Sequence, residues 1–337
     1  MNKWYLESGF QDDIVISTRI RLARNIKNIP FPSKMSEADG KKVVDTVENS
    51  LSRVSYGFEK VNISELNDTD KNVYIEEYYL SPKMLKGSKE RAMFISQDGR
   101  VSIMANEEDH LRIQCMYPGF EPEKAYDVIN KTDDCISETI QYAYSEKYGF
   151  LTSCLTNLGT GMRVSFMVHL PALVKTGMAK RLFGALSKMG IAVRGIYGEG
   201  TDSKGDIFQI SNQKTLGETE EEIIKRMSDI MTEIISKERE LRNTIIHEDR
   251  LSLENKIMRA MGTLRYATLI DSNEMMECLS YVRLGASLGI IENTENKDLT
   301  KILIELRPYH IAKTSDNALT IKERDAKRAK LIKEYLK

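Results

Sequence analysis

Five arginines in or beside short strand-like segments predict a site for a ligand that carries phosphate groups. Arg19 and Arg21 are two residues apart in a strand predicted over 13–22, so both side chains point to one face of a sheet. Arg112 follows an acidic cluster, Arg163 begins a second strand, and Arg194 lies in a third. Guanidinium forks match phosphate oxygens bidentately. Any one of these arginines alone would be interpreted as a solvated surface residue.

Two further segments could supply reactive groups. The acidic run Asn106–His110 follows a strand predicted over 101–105, and Cys154 opens a turn rich in Gly, Thr and Asn. Backbone N–H groups of such a turn can cradle an anion. Taken alone, an acidic run is usually a solvated turn or a helix start, and a lone cysteine is usually a small buried hydrophobe. Their combination with the arginines makes them candidates for chemistry.

The elements that must position these residues are strands in the first two thirds of the chain and helices in the rest. Alternating apolar residues predict further strands over 163–170, 192–196 and 206–210, and a glycine-rich loop over 198–205 separates the last two. Thr219 begins a capping box, and apolar residues then recur at helical spacing. After about residue 247 the chain is predicted to be wholly helical, with helices near 251–270, 273–291, 296–305 and 319–337.

Composition narrows the functional classes. The 337 residues carry a formal net charge of −1, whereas non-specific nucleic-acid binders are clearly basic, so we expect no nucleic-acid partner. The longest uncharged run, 148–162, is too short and polar to span a bilayer, and the N-terminus lacks the apolar core of a signal peptide. Four scattered cysteines form no C-x-x-C pair, which favours a reducing cytoplasm over a disulfide or zinc framework. Walker A, protein-kinase and dinucleotide fingerprints are missing from the sequence.

Four strings in one order resemble the catalytic domain of the phosphagen (guanidino) kinases over about residues 10–245. They are Ser17–Arg21, Asn106–Arg112, Cys154–Arg163 and Arg194–Glu199. The resemblance implies an α+β fold, in which a large, mainly antiparallel sheet flanked by helices forms a catalytic domain over 1–247. A helical C-terminal domain over 248–337 would follow it.

The ends of the chain resemble the bacterial protein-arginine kinases within that family. Sixteen residues precede Ser17, where kinases of free guanidino metabolites carry a helical domain that closes over the small substrate. We therefore expect an open substrate side. Near the C-terminus stands an R-D-x-x-R-A motif, formed by Arg324, Asp325, Arg328 and Ala329. The resemblance implies that this motif binds phosphoarginine and couples it to activity. Arg324 and Arg328 are four residues apart and would share a helix face.

The resemblance also implies roles in transferring the γ-phosphoryl group of ATP, with Mg²⁺, to a protein arginine. Glu108 and Glu199 would clamp the guanidinium, with Glu108 the expected base, and Cys154 would pair electrostatically with a non-reacting nitrogen. No protein metal site is expected. The implied nucleotide site comprises Ser17, Thr18, Arg19, Ile20, Arg21, Arg112, Arg163, Val164, Ser165, Phe166, Met167, Arg194, Gly195, Ile196, Tyr197 and Gly198. The family's adenine-side histidine is missing, and Tyr78 or Tyr79 is expected to stack there instead.

The implied setting is bacterial stress response and protein quality control in the cytoplasm. Expected substrates are a heat-shock repressor and unfolded proteins, which phosphoarginine would mark for a Clp protease. A zinc-binding activator protein and a second copy of the chain are the other expected partners. Two alternatives remain open: a kinase of free arginine or another guanidino metabolite, and a catalytically weak adaptor that binds phosphoarginine.

Overall fold

The computed structural model describes residues 2–86, 90–196, 203–315 and 317–336. The strands are β1 (Val15–Arg24), β2 (Phe58–Asn62), β3 (Ala92–Ser96), β4 (Val101–Ala105), β5 (Leu111–Pro118), β6 (Tyr144–Ser145), β7 (Gly149–Phe150), β8 (Met162–His169), β9 (Ile191–Gly195) and β10 (Ile207–Asn212). The α-helices are α1 (Glu37–Leu51), α2 (Asp68–Glu76), α3 (Pro122–Ser137), α4 (Pro171–Lys175), α5 (Ala179–Lys188), α6 (Glu220–Glu248), α7 (Arg250–Tyr266), α8 (Ser272–Ser287), α9 (Asn296–Glu305), α10 (Pro308–Lys313) and α11 (Ile321–Tyr335).

Eight of these strands form one sheet in the order β2-β3-β4-β5-β1-β8-β10-β9. The neighbouring strands pair antiparallel along the whole sheet. The long strand β1 lies between β5 and β8 and therefore forms the centre. The fold is α+β with a large antiparallel sheet, as the resemblance implied.

One face of the sheet is packed against helices. Ile20, Leu22, Val164 and Phe166 project into a large apolar cluster on this face and are almost inaccessible to solvent. The helix α3 packs on β1 and β5, α6 on β8 and β10, and α5 on β9. Because side chains alternate along a strand, the intervening residues of β1 and β8 must point to the opposite face. The core of the sheet thus determines where the arginines point.

The helices α7–α11 pack on the other side of the molecule. A second apolar cluster joins Trp4 and Tyr5, which precede β1, and Met104 of β4 to Leu303 and Ile332 from the C-terminal helices. Polar contacts join the same parts, since Arg283 of α8 donates to the carbonyl oxygen of Asp12. The C-terminal helices therefore share a hydrophobic core with the sheet. The boundary after residue 247 remains a prediction, although α6 ends at Glu248.

The predicted elements are largely confirmed, with shifts of a few residues at their ends. The strand predicted over 13–22 runs from Val15 to Arg24, because its pairing with β5 continues to Arg24 opposite Leu111. The capping box at Thr219 is present and starts α6. The short helix α10 was missed, since six residues are too few to show a helical repeat. In the described ranges, no helix is both long and apolar enough to cross a membrane.

Candidate active site

The sheet register brings all five arginines to one face. Arg21 on β1 lies directly opposite Arg163 on β8, and Arg112 on β5 lies opposite the residue two beyond Arg21. Arg19 is two residues before Arg21 on β1 and therefore points to the same face. Arg194 on β9 lies opposite Gln209 of β10 and shares that face. Together they line a cleft of about 450 Å³. We call this space, with Glu108 and Cys154 on its wall, the arginine cleft.

Repulsion among these cations shows in their pKa values. Burial, followed by the charge of Arg112, lowers the pKa of Arg19 to about 10. Burial and the neighbouring Arg19 hold the pKa of Arg21 well below its usual value. Burial lowers the pKa of Arg163 too, and Arg194 adds to the effect. Crowded cations of this kind favour binding of a polyanion, because its charge removes their mutual repulsion.

The hydrogen bonds of the arginines leave positive charge unneutralised. Arg19 donates to the Gln209 side-chain oxygen at 2.9 Å, and Arg163 donates to the Ser211 hydroxyl at 3.1 Å. Within the described part of the chain, Nε of Arg21 is buried and has no hydrogen-bond partner. An unpartnered buried N–H is costly, and an oxyanion in the arginine cleft would satisfy it. This atom is therefore an independent sign of a phosphate-bearing ligand.

The three consecutive acidic residues after β4, at positions 107–109, have different hydrogen-bond partners and different roles. Glu107 accepts from Arg112 at 2.8 Å and from the Ser81 hydroxyl at 2.7 Å. Burial alone would raise the pKa of Glu107, but Arg112 and these hydrogen bonds bring it below its usual value. Asp109 accepts from the Asn25 side chain and from the backbone N–H of Ser153 at 2.6 Å. Glu107 thus anchors an arginine and Asp109 anchors the segment that leads to Cys154.

Glu107, Glu108 and Asp109 all line the arginine cleft, but Glu107 and Asp109 are buried, whereas Glu108 is half-buried. Its carboxylate lies 2.8 Å from the ammonium group of Lys83, and its side chain is one-third exposed. It is therefore accessible to a cationic substrate entering from solvent. The second carboxylate predicted for the clamp, Glu199, lies outside the described residues, as do Tyr197 and Gly198. The pairing of Glu108 with Glu199 remains a prediction.

Cys154 lines the arginine cleft together with Glu108. Its Sγ lies 3.0 Å from Oγ1 of Thr156. The loop behind it is fixed at Gly159, whose φ of +106° is a backbone conformation that favours glycine, and whose Cβ, if present, would lie 2.2 Å from the Thr215 carbonyl oxygen. The short backbone approach at Gly159 explains why this turn is rich in glycine. A thiol is therefore held in a defined place beside the accessible carboxylate.

A narrow cavity continues from the arginine cleft and holds further predicted nucleotide-site residues. Ser17, Ser165, Met167 and Ile196 line it, together with Arg19. Gly195 ends β9 beside Ile196. The described residues thus place most of the predicted nucleotide set around two connected spaces on one face of the sheet.

Four predicted members of the nucleotide site point their side chains away from the arginine cleft. Thr18, Ile20, Val164 and Phe166 alternate with the cleft-facing residues, so their side chains lie in the core on the opposite face. The hydroxyl of Thr18 donates to the Gly119 carbonyl oxygen there. Their place in the nucleotide site remains a prediction, and strand alternation limits it to their backbone groups.

The structure distinguishes the two tyrosines proposed for the adenine side. Tyr78 lines the narrow cavity beside Arg19. Tyr79 is buried in the core and donates its hydroxyl to the Gly99 carbonyl oxygen. Sequence reasoning missed two other lining residues, Gln209 and Met116. Gln209 lies opposite Met167 and Met116 lies opposite Arg19 in the neighbouring strands. Finding these two residues from sequence would therefore require the strand pairing to be known.

The C-terminal motif lies apart from the arginine cleft on α11. Arg324 and Asp325 are half-buried, whereas Arg328 and Ala329 are buried. Arg328 donates to the carbonyl oxygens of Leu306 and Ile270 at 2.9 and 2.8 Å and to Asp325 at 2.6 Å. These bonds tie α11 to the end of α9 and the start of α8. The phosphoarginine-binding role of the motif remains a prediction.

Comparison with known proteins identifies the class of fold and site. Residues 40–241 match the C-terminal catalytic domain of the ATP:guanido phosphotransferases. A solved lombricine kinase is 25% identical, with a TM-score of 0.63 over 70% of this chain and 69% of that one. A Schistosoma mansoni taurocyamine kinase with bound transition-state-analogue components has a TM-score of 0.62 at 24% identity, over 71% of this chain and 36% of that one, and shares the fold.

Other relatives match along the full length. Residues 250–337 match the C-terminal domain of the protein-arginine kinase McsB. A protein-arginine kinase of Caldanaerobacter subterraneus is 44% identical over 97% of this chain and 98% of its own length. One of Clostridium tetani is 40% identical over 100% of this chain and 99% of its own. The chain therefore belongs to the ATP:guanido phosphotransferase family, among the relatives that carry the additional C-terminal domain.

Proposed function

We propose that this protein transfers the γ-phosphoryl group of ATP to arginine side chains of proteins. One observation carries the proposal: five arginines on one sheet face open directly onto an accessible carboxylate and a thiol. A polyphosphate and a guanidinium need opposite charges around them, and the arginine cleft offers both within one space. The full-length relatives named protein-arginine kinase support the choice of substrate.

Positioning and charge neutralisation are the main requirements of phosphoryl transfer. In the proposed reaction, the arginines hold the triphosphate, and Tyr78 lies at the adenine side of the narrow cavity. Mg²⁺ enters with the nucleotide. In the described ranges, no group of three or more His, Cys, Asp or Glu side chains is placed to bind a metal ion. The arginines fit phosphate oxygens as hydrogen-bond donors, not metal ions.

Glu108 then prepares the nucleophile. The pKa of a guanidinium lies far above neutral pH, so the group is protonated and is a weak nucleophile. A carboxylate can orient the planar group through paired hydrogen bonds and accept its proton. The new N–P bond forms as the bond from the γ-phosphorus to the β-phosphate oxygen breaks, and the proton passes to Glu108. Cys154 pairs with a nitrogen that does not react, and Glu199 supplies the second carboxylate.

The proposed physiological setting goes beyond the activity named for the relatives. Phosphoarginine would mark a heat-shock repressor and unfolded proteins for a Clp protease during stress in the cytoplasm. A zinc-binding activator protein would stimulate the kinase, and Arg324, Asp325 and Arg328 would sense phosphoarginine. Two copies of the chain would associate through the C-terminal helices. Co-purification from stressed cells tests these partners, with a Glu108→Gln chain as the bait that forms no phosphoarginine.

The activity is tested by mapping acid-labile phosphate with mass spectrometry. The protein is incubated with ATP and Mg²⁺, and with either an unfolded arginine-rich protein or free arginine. We expect phosphoarginine on the protein and little turnover of free arginine. Glu108→Gln should lower the rate roughly 10²–10⁴-fold, whereas Glu240→Gln on the exposed surface of α6 should not.

The alternatives give different results in the same assay. Preferential turnover of free arginine would favour the metabolite kinase. Phosphoarginine binding by the wild type, with no phosphoryl transfer to either substrate, would favour the adaptor.

A further inference from the structure

We propose that Lys83 pairs with the carboxylate of Glu108 when no substrate is bound. The guanidinium of a substrate arginine then displaces the lysine from this carboxylate. The inference rests on the proposed function and names a residue that sets the affinity for the substrate arginine. Neither residue type nor spacing predicted it from the sequence, because Lys83 belongs to a turn distant from Glu108 along the chain.

The contact is direct and lies in the arginine cleft. Nζ of Lys83 is 2.8 Å from Oε2 of Glu108, and both residues line the space that also holds Cys154. The hydrogen bond to Glu108 raises the pKa of Lys83, so the ammonium stays charged at neutral pH. A substrate guanidinium that binds Glu108 would need the same oxygen atoms.

The backbone of Lys83 is fixed beside the acidic segment by two tethers. The neighbouring Ser81 donates its hydroxyl to Glu107. Arg91 donates to the carbonyl oxygen of Lys83 at 2.9 Å and to that of Asn106 at 3.0 Å. These bonds hold the turn against the segment that carries Glu108. The encounter of Lys83 with Glu108 is therefore built into the local fold.

The side chain of Lys83, in contrast, is free to leave. It is 62% exposed to solvent, and four methylene groups separate the ammonium from the fixed backbone. An ammonium is a compact point charge, whereas a guanidinium presents a planar fork that pairs with both oxygens of a carboxylate. A correctly placed arginine can therefore replace Lys83 at the Glu108 carboxylate. Cations that bind this carboxylate more weakly than the lysine does would not displace it.

The neighbouring acids are not open to such competition. Glu107 is held by Arg112 and Ser81, and Asp109 accepts from the side chain of Asn25 and the backbone of Ser153. In residues 106–110, the carboxylate whose pairing partner is a solvent-exposed side chain is that of Glu108. Lys83 thus pairs with the most exposed of the three acids that line the arginine cleft.

The test compares the steady-state kinetics of Lys83→Met, Lys83→Arg and the wild type at saturating MgATP, with an arginine-containing peptide varied. Exposed ion pairs are weak, so removal of the competing charge should lower the KM for the peptide about two- to fivefold. The change should appear in KM for the peptide and not in KM for ATP. Lys83→Arg restores a cation and should return KM toward the wild-type value.

The matched control is Lys237→Met. Lys237 forms an ion pair of the same 2.8 Å length with Glu240 on the surface of α6, away from the arginine cleft, so its removal should leave KM unchanged.

An unchanged or higher KM for the peptide in Lys83→Met would overturn the proposal. If the wild type transfers no phosphate to any peptide, the proposed function fails separately. Calorimetric titration of the peptide into the ADP-bound protein then still compares Lys83→Met with the wild type, and equal affinities would reject the role of Lys83.

Discussion

Arg24 at the end of β1 offers a sharp test of how the Cys154 loop is held. Its side chain is 1% exposed and lies 2.8 Å from Asp133 and 3.2 Å from Glu220. It also donates to the carbonyl oxygen of Thr160 at 2.7 Å. The guanidinium stacks on the ring of Phe150, with its central carbon 3.6 Å from the ring centre. One residue therefore joins a buried ion-pair network to the loop that ends the Cys154 turn.

Replacement of Arg24 by Met leaves two partly buried carboxylates without their cation. Breaking such a pair costs about 3–5 kcal/mol, which corresponds to a fall in Tm of roughly 4–7 °C for a chain of this size. Loss of the bond to Thr160 should also loosen the loop, so Cys154 should react faster with a thiol reagent. Calorimetry and timed alkylation measure the two effects.

Arg242→Met is the control for this experiment. Arg242 forms an equally buried pair with Glu238 at 2.9 Å and donates to the carbonyl oxygen of His169, which ends β8 on the side away from the Cys154 loop. It should lose a similar amount of stability without a change in Cys154 reactivity. A loss below about 1 kcal/mol for Arg24→Met, as expected of an exposed pair, or equal acceleration of alkylation in both variants, would refute the reasoning.

Three further predictions concern pH, thiol chemistry and backbone fit. Burial alone would lower the pKa of His310, but hydrogen bonds to Glu76 and Glu77 raise it above its usual value. Its stabilising contribution should be complete below about pH 6.5 and decline as pH rises through the folded pKa. Urea titrations should show this decline in the wild type and not in His310→Gln. Cys115 is buried, and burial raises the pKa of its thiol, so peptide mapping should find it unmodified in the folded protein and alkylated after denaturation. Gly159→Ala brings a methyl group against a carbonyl oxygen and should reduce phosphoryl transfer more than tenfold, as measured by phosphoarginine formation; an unchanged rate would contradict the assigned loop geometry.

Local sequence patterns predicted much of the sheet and the direction of the central arginines. Apolar alternation located β1 and β8, and the two-residue spacing of Arg19 and Arg21 placed both on one face. The convergence of Arg112, Arg163 and Arg194 with them depends on register between strands far apart in the chain. Alternation within one strand contains no information about that register. The family resemblance, and not periodicity, indicated that these arginines belong together.

Other features of the site arise from contacts that local patterns do not encode. The Lys83–Glu108 pair forms because Arg91 and Ser81 hold one turn against another. The nucleotide-site prediction treated the segment around Ile20 as a unit, whereas strand neighbours point to opposite faces and the side chain of Ile20 lies in the core. Motif resemblance identifies a segment, whereas the strand geometry determines which of its side chains reach a ligand.

The hydrophobic cluster shared by the C-terminal helices and the sheet has a consequence for truncation. A fragment that ends after α6 would expose Met104 and the residues around Trp4, which Leu303 and Ile332 now help to cover. Large exposed apolar patches promote self-association of soluble proteins. Such a fragment should therefore precipitate during expression, because the catalytic sheet relies on the last ninety or so residues as part of its own interior.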